Sequence, residues 1–381
     1  MLPTFYQSCL KSQLSDAQFI TLEILVELLQ QERRITIERL ATLFPQPILF
    51  ESRRRNLQRF LSLPQMTPEA LWFPIAKQWI KQHIPRGQAL QLVLDRTQWM
   101  EHNLMMVSFV YQNRAIPLYW TWLDKQGQSS LRDQQKVLRP VFRLLKKRRF
   151  VLLGDREFHS IELAAWCVAK KVSFVFRLPK STTVQPETGA GFSRLDDLPQ
   201  RPGVPEQYLQ IQVTQKRGFG RHNLVIYQKR TYAQATTPDV WYLLTNLTDV
   251  NLVLFHYDFR FCIEPGFKDL KSGGYHLEDC HAHPRRFTAL IVLMTIAYSL
   301  ASVQGKRIRK KQVQRYVGRV KEPKRAQNRH SQFWIGLYGS LWIGNLNLWS
   351  TLAHQLMALK PQKRPFFQRG LRAISLIQSA L

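Results

Sequence analysis

Acidic side chains are scarce in this sequence. Only 26 Asp and Glu residues stand against 55 Lys and Arg residues, which gives a formal net charge of +29 and a pI near 10.4. This imbalance is far from that of a typical soluble enzyme. It predicts a polyanionic partner, because Lys and Arg side chains that neutralise phosphates release condensed counterions. Charge alone leaves non-specific RNA binding open as an alternative.

Cysteine is also rare, and its four positions lack paired spacing: Cys9, Cys167, Cys262 and Cys280. A disulfide framework is therefore excluded, and reduced thiols are expected. No secretory signal is expected either, because residues 1–10 lack a basic stretch followed by an apolar one. These features predict a cytoplasmic location.

Long apolar runs are limited to one stretch, residues 287–303, which carries no charge and is flanked by basic residues on both sides. It is slightly short for a bilayer span, so we expect a buried core helix and no membrane partner. A phosphate-binding loop of the G-x-x-x-x-G-K-[ST] type is missing, which argues against ATP use. The content of 45% hydrophobic and 12% aromatic residues is sufficient for a real core.

Residues 1–85 predict a helical domain. Ser15 is a candidate N-cap for a helix with apolar residues at helical spacing, and two further helices are expected at about 36–44 and 51–63. The last of these carries four arginines: Arg53, Arg54, Arg55 and Arg59. Three short helices with a basic third one resemble a helix-turn-helix unit that binds DNA. A small bundle with a basic face is the structural alternative.

Residues 86–300 predict an α/β domain. A strand at 90–94 ends in Asp95, a hairpin and a helix follow, and a second buried strand at 150–153 leads to Asp155. The order is three strands, helix, strand, helix, strand, which is that of a ribonuclease-H-like core, a mixed sheet flanked by helices. We expect a β-rich insertion at about 180–240. Residues 301–381 predict a basic helical C-terminal region, with the densest basic run at 306–325.

Three carboxylates suit phosphodiester chemistry. Asp95 and Asp155 are expected at strand ends, where catalytic groups gather in open α/β sheets, and Glu264 is expected on a helix. Such a set could hold two divalent cations roughly 3.5–4 Å apart. Tyr257, Arg260, Glu264 and Lys271 follow at spacings that place them on one helix face. Read alone, this face could equally be a solvated stripe of ion pairs.

The pattern Tyr257-x2-Arg260-x3-Glu264-x6-Lys271 resembles the Y-R-E-K signature of bacterial cut-and-paste DDE transposases, specifically insertion sequence family four. The resemblance extends to Leu94-Asp95-Arg96-Thr97, to Gly154-Asp155-Arg156 and to Trp241, just before the signature helix. It covers about residues 89–280, including the β-rich insertion.

The resemblance implies a role for each matched residue. Asp95, Asp155 and Glu264 would be the catalytic residues and would bind two Mg²⁺ ions, with Mn²⁺ as a possible substitute. The residues implied to contact DNA are Tyr257, Arg260, Lys271, Trp241, Arg96 and Arg156. Trp241 would stack on a base flipped out of the duplex, although it could equally be a core residue.

The resemblance also implies a reaction and its partners. Water nicks one strand of a transposon end, and the freed 3′-hydroxyl attacks the opposite strand to form a hairpin. The hairpin is reopened, and the 3′-hydroxyls attack target DNA. The partner would be double-stranded DNA, the active form a homodimer in a synaptic complex, and the location the bacterial cytoplasm in association with the nucleoid.

Other hypotheses remain beside this one. The same acids could belong to a ribonuclease-H-like nuclease without strand transfer, or the chain could be an inactive, domesticated DNA-binding protein. His276, Cys280, His281 and His283 form a cluster that could suggest zinc, but their spacing fits no standard finger. His159 lies close to Asp155 in sequence, and a packed histidine is the preferred interpretation.

Overall fold

A computed structural model describes residues 2–33, 35–99, 102–123, 127–186, 191–215, 219–230, 239–277, 280–320 and 329–381. Its internal contacts divide the chain into a helical unit, Met1–Ile75 with Lys268–Leu381, and a mixed unit, Ala76–Phe267. This grouping differs from the predicted boundaries at 85 and 300, because the N-terminal and C-terminal helices belong to one unit. Residues 321–325 of the predicted basic run, and 187–190, 216–218 and 231–238 of the predicted insertion, lie outside the described residues.

The secondary structure follows in chain order. The helices are α1 Thr4–Lys11, α2 Asp16–Glu32, α3 Ile37–Leu43, α4 Phe50–Phe60, α5 Phe73–His83, α6 Leu131–Leu144, α7 Ile161–Ala169, α8 Val250–Asp258, α9 Ile263–Leu270, α10 Pro284–Lys310, α11 Gln332–Leu348, α12 Ser350–Ala358 and α13 Arg364–Gln378. The strands are β1 Leu90–Trp99, β2 His102–Tyr111, β3 Arg114–Leu123, β4 Phe150–Gly154, β5 Ser173–Arg177, β6 Thr183–Gln185, β7 Ser193–Arg194, β8 Glu206–Val213, β9 Arg221–Gln228 and β10 Val240–Thr245.

The N-terminal helices confirm the sequence-based prediction. Ser15 caps α2 through a capping box, in which its side chain accepts from the Gln18 backbone while the Gln18 side chain accepts from the Ser15 N–H. The pairing satisfies two backbone donors that the first turn of a helix leaves without a partner. The helix ends at Glu32, and Arg33 follows it in the left-handed conformation. The preceding helix α1 was not predicted.

The apolar stretch at 287–303 lies within α10, and the structure confirms the predicted buried helix. By length and composition α10 could also cross a membrane, but 94% of its most apolar window is buried inside the structure. It packs against α2 and α11. A Cβ at Gly305 would lie 1.8 Å from the Gln332 carbonyl, and one at Gly336 equally close to that of Ala301. Glycine is therefore what allows α10 and α11 to touch at their backbones.

The mixed unit is built on one sheet of ten strands, in the order β3-β2-β1-β4-β5-β10-β9-β8-β6-β7. β1, β2 and β3 form the predicted antiparallel meander, whereas β1, β4 and β5 are parallel. The predicted order of strands and helices is confirmed, and so is the mixed α/β class. The β-rich insertion contributes β6 to β9 to the same sheet through the β9–β10 pair, a continuation that the sequence did not predict.

The prediction of one helix carrying all four residues of the Y-R-E-K pattern was wrong. α8 ends at Asp258, a 3₁₀ turn covers Phe259–Cys262, and α9 begins at Ile263. Pro265 explains the break. Its ring clashes with the preceding turn of a continuous α-helix and it has no N–H to donate, but both are tolerated in the first turn of a new helix.

Candidate functional site

Asp95 and Asp155 lie next to each other where the pairing of two adjacent parallel strands stops. The pairing of β1 with β4 ends at Leu94 and Gly154, and each aspartate is the next residue of the chain. The prediction that the first strand ends in Asp95 was wrong, because β1 continues to Trp99 through its pairing with β2. The Asp95 carboxylate accepts a hydrogen bond from the Arg96 N–H at 2.7 Å, and the Asp155 carboxylate accepts one from the Glu157 N–H at 2.9 Å. The register of the two strands therefore produces the acid pair.

The environment of Asp95 disfavours its charge. Burial raises the pKa of Asp95 to about 7, and the negative charges of Asp155 and Glu157 act in the same direction. The Arg96 N–H and the Arg260 guanidinium oppose this rise. Desolvation and neighbouring like charges are the two standard reasons for a raised carboxyl pKa. The site thus concentrates negative charge where water is partly excluded.

Glu157 is a third acid beside this pair, and the sequence analysis missed it. Its carboxylate accepts from Arg96 Nε at 2.9 Å and from the Ser129 hydroxyl at 3.2 Å. A second nitrogen of Arg96 donates to the Gly127 carbonyl at 2.7 Å. Arg96, predicted to contact phosphate, is therefore committed to internal bonds in this structure. Arg156 is exposed, and its predicted role stays a prediction.

Glu264 lies in the first turn of α9 and is bound to Arg260. Two guanidinium nitrogens of Arg260 donate to Glu264 Oε1 at 3.1 and 3.3 Å. The Glu264 side chain is 62% exposed and that of Arg260 only 13%. Because Arg260 also lowers the pKa of Asp95, its charge acts on both the acid pair and Glu264.

The three predicted metal ligands are not assembled in this structure. Among the described residues, no group of three or more His, Cys, Asp and Glu side chains is arranged to hold a metal ion. The structure brings Asp95 and Asp155 together and leaves Glu264 with Arg260. Their common role as ligands stays a prediction that requires the Glu264 side chain to move.

Trp241 and Tyr257 are core residues in this structure. Trp241 is 1% exposed, and its indole N–H donates to Asp239 at 2.9 Å. The Lys229 ammonium lies 4.0 Å from the centre of its ring. Tyr257 is fully buried with its ring against Trp241, and burial raises its pKa. Base stacking by Trp241 stays a prediction, and it requires Lys229 to leave the ring.

Arg177 occupies the next strand end in the same row. Phe176 of β5 pairs with Gly154, so Arg177 follows it at the level of Asp155. It is 9% exposed, and one of its nitrogens donates to Asp239 at 2.6 Å and to the Val240 carbonyl at 2.9 Å. The sequence signal was an arginine that ends an apolar strand, the same signal that marked the two aspartates.

Lys271 follows the last residue of α9 and belongs to the helical unit by its contacts. Its carbonyl accepts from the backbone N–H groups of Gly274 and His276, which closes the turn after the helix. Its predicted phosphate contact stays a prediction.

One comparison with known proteins found a similar family. Residues 129–300 match the model of a family described as "Transposase DDE domain". The matched range contains Asp155 and Glu264 and begins after Asp95. The match supports a DDE transposase, a class of enzyme that cuts and joins nucleic acid.

Other comparisons add less. One similar solved structure is a cryo-EM structure of a piggyBac transposase synaptic complex with hairpin DNA. It is 12% identical, with a TM-score of 0.42 over 88% of this chain and 76% of that chain, a similarity too weak to assign a shared fold. Among curated proteins the chain has no match.

Proposed function

We propose that this chain is a DNA transposase similar to insertion sequence family four, which excises and inserts a DNA element by metal-dependent phosphodiester hydrolysis and strand transfer. One observation carries the proposal. Asp95 and Asp155 stand next to each other where the parallel pairing of β1 with β4 stops, in a partly buried site with a guanidinium nearby. This arrangement suits the binding of cations and phosphates, and it lies on the side of the parallel strands where α/β sheets place their chemistry.

The chemistry of the donor set fits Mg²⁺. Carboxylate oxygens are the ligands that hard divalent cations prefer, and the clustered charges that raise the Asp95 pKa would be relieved by a cation. When bound, two Mg²⁺ or Mn²⁺ ions would activate the attacking hydroxyl and stabilise the leaving oxygen. Glu264 would join the two aspartates after leaving Arg260, which its exposed side chain allows.

The remaining residues would hold the substrate. A DNA phosphate can replace Glu264 as the partner of Arg260, because a guanidinium binds both groups through the same paired N–H donors. Lys271 would bind a phosphate of the same DNA. Tyr257 and Trp241 would fix the position of the 3₁₀ turn that carries Arg260, because Phe259, Phe261 and Cys262 of this turn pack with them in one cluster. Positioning of this kind is a main source of rate in displacement at phosphorus.

The proposal also includes the fold of the core and the assembly of the active form. The strand order β3-β2-β1-β4-β5, antiparallel and then parallel, supports a ribonuclease-H-like core. A hairpin intermediate, a homodimer in the synaptic complex and a location at the bacterial nucleoid complete it. The net charge of +29 supports double-stranded DNA as the partner.

The test is a cleavage assay with Mg²⁺. Its substrate is a DNA duplex that carries the two ends of the element, which flank the gene. We expect Glu264→Gln and Asp155→Asn to bind this duplex and to lose cutting. Asp197→Asn, which removes an exposed carboxylate of the insertion, is the matched control and should cut normally. Equal cutting by Glu264→Gln would refute the assignment. If the cut ends are also joined to a target plasmid, the chain is a transposase and not only a nuclease. If the parent chain binds the duplex without cutting it, the chain is an inactive DNA-binding protein.

A further inference from the structure

The four arginines of α4 divide into two pairs with different surroundings. Arg53 points back to the connection between α3 and α4, where it donates to the carbonyls of Ala41 at 2.8 Å, Gln46 at 3.3 Å and Ile48 at 2.8 Å. A guanidinium that satisfies three backbone carbonyls fixes the connection. Arg53 is therefore a structural residue.

Arg54 is neutralised by two acids of the same unit. Its Nε lies 3.3 Å from a Glu38 carboxylate oxygen, and its Nη1 lies 3.6 Å from one of Glu51. Glu38 belongs to α3, so the contact ties α3 to α4. A charge paired in this way contributes little to the attraction of an external anion.

Arg55 and Arg59 face the other way, into an open cavity of about 560 Å³. Arg286, from the first turn of α10, lines the same cavity, and its Nε donates to the Ser62 hydroxyl at 3.2 Å. Within the part of the chain that the structure describes, no carboxylate pairs with any of these three arginines. The cavity thus gathers three guanidinium groups whose charge is unbalanced, two from α4 and one from a helix more than half the chain away.

We propose that this cavity, the α4 groove, binds the phosphates of double-stranded DNA through Arg55, Arg59 and Arg286, whereas Arg53 and Arg54 only build the fold around it. The inference rests on the proposed function for the identity of the anion. Guanidinium groups bind phosphate oxygens through paired N–H donors. Ser52 and Asn56 also line the groove, and hydroxyl and amide side chains are common partners of the DNA backbone.

The contribution of α10 separates this proposal from the sequence-based one. The sequence predicted a basic third helix, with its four arginines taken together, as the DNA-binding element. The structure assigns two of them to the groove and adds Arg286, which the sequence places beside the apolar stretch of α10. Contacts to phosphate hold a protein on the duplex without reading its sequence. The groove would therefore bind any duplex.

The experiment measures the affinity for a fluorescein-labelled duplex of mixed sequence over a series of salt concentrations. Each phosphate contact contributes about 0.9 to the slope of log K against log salt. We expect Arg55→Gln with Arg59→Gln to lower the slope by about 1.8, and Arg286→Gln to lower it by about 0.9. Arg54→Gln is the control, because it removes one positive charge from α4 outside the groove, and its slope should stay near that of the parent. Thermal unfolding checks that each variant is folded.

The outcomes distinguish this inference from the proposed function. An unchanged slope in the Arg55 and Arg59 variant, or an equal fall in Arg54→Gln, would overturn the groove while leaving DNA binding intact. Tighter binding of an RNA duplex of the same sequence would also overturn it. A parent chain that shows no salt-dependent binding would contradict the DNA-binding function itself. Because only binding is measured, with a duplex that need not be cut, a catalytic failure does not affect the result.

Discussion

Arg96 and Glu157 form a partly buried ion pair, with Arg96 Nε 2.9 Å from a Glu157 carboxylate oxygen. Arg96 directly follows Asp95, and Glu157 comes two residues after Asp155. The pair therefore links the two chain segments that carry the candidate catalytic acids. The other Glu157 oxygen accepts from the backbone N–H and the hydroxyl of Ser129, two residues before α6, so three segments of the chain meet at one carboxylate.

Replacing the Glu157 carboxylate tests how much it contributes to the stability of the fold. In Glu157→Ala, Arg96 would stay largely buried without its partner, and we expect a loss of about 1–3 kcal/mol of unfolding free energy. Urea unfolding measures it. Asp196→Ala removes the partner of Arg194 in an exposed pair and should hardly change the midpoint. Equal effects of the two substitutions would contradict the linking role.

Gly266 sets the position of α9 and therefore of Glu264. A Cβ at this residue would lie 2.9 Å from the Ala115 carbonyl oxygen of β3, closer than side chains approach a backbone. We expect Gly266→Ala to displace α9, to lower the unfolding temperature and to reduce DNA cleavage. Gly344→Ala is the control, because nothing lies within 4 Å of that position in α11. It should be neutral or stabilising by about 0.5–1 kcal/mol. Full cleavage by Gly266→Ala would show that α9 tolerates the shift.

Local patterns were sufficient to predict most of the core. Apolar runs of four or five residues gave the strands that carry Asp95 and Asp155, and the structure places these residues where β1 and β4 stop pairing. The capping residue Ser15 gave the start of α2. These features depend on neighbours in the chain, which a single sequence contains.

Features that depend on distant residues were not predictable. The ion pair between Arg96 and Glu157 depends on the register of β1 and β4. The burial of Trp241 depends on the packing of β10 against α8 and the turn after it. The helix break before Glu264 could have been predicted from Pro265. The spacing of the Y-R-E-K pattern instead suggested one continuous helix face. Spacing alone therefore did not give the conformation of these residues.

The burial of Trp241 predicts a cost for its removal that is independent of DNA. Trp241→Ala leaves a cavity among Tyr227, Tyr257 and Phe261, and we expect a loss of about 3–5 kcal/mol of unfolding free energy. Trp349→Ala is the matched control, because Trp349 is 56% exposed, and it should change stability little. A stability loss that is small and equal in both variants would mean that Trp241 is not held in the core without DNA and is free to stack on a base when DNA binds.

The raised pKa of Asp95 predicts a pH dependence of stability when divalent cations are removed by a chelator. The folded state holds a proton on Asp95 up to about pH 7, whereas the unfolded chain releases it near 3.8. The folded state therefore binds more protons between these values, and its stability falls as the pH rises through this window. Asp95→Asn removes this pH dependence. The free energy of unfolding of the variant should therefore rise relative to that of the parent from about pH 4, and the difference should become constant above about pH 7. At about 1.4 kcal/mol for each pH unit, the gain is at most roughly 4 kcal/mol.

Urea unfolding of the parent and of Asp95→Asn across this pH range measures the difference. Asp197→Asn, at an exposed position, is the control: it keeps Asp95, so its stability should follow that of the parent across the range. Mg²⁺ should reverse the order at high pH, because a cation bound to the ionised carboxylate stabilises only the parent. If the parent and Asp95→Asn keep a constant difference from pH 4 to 8, with and without Mg²⁺, Asp95 neither carries the buried charge nor binds the metal. The acid pair would then not be the centre of the reaction.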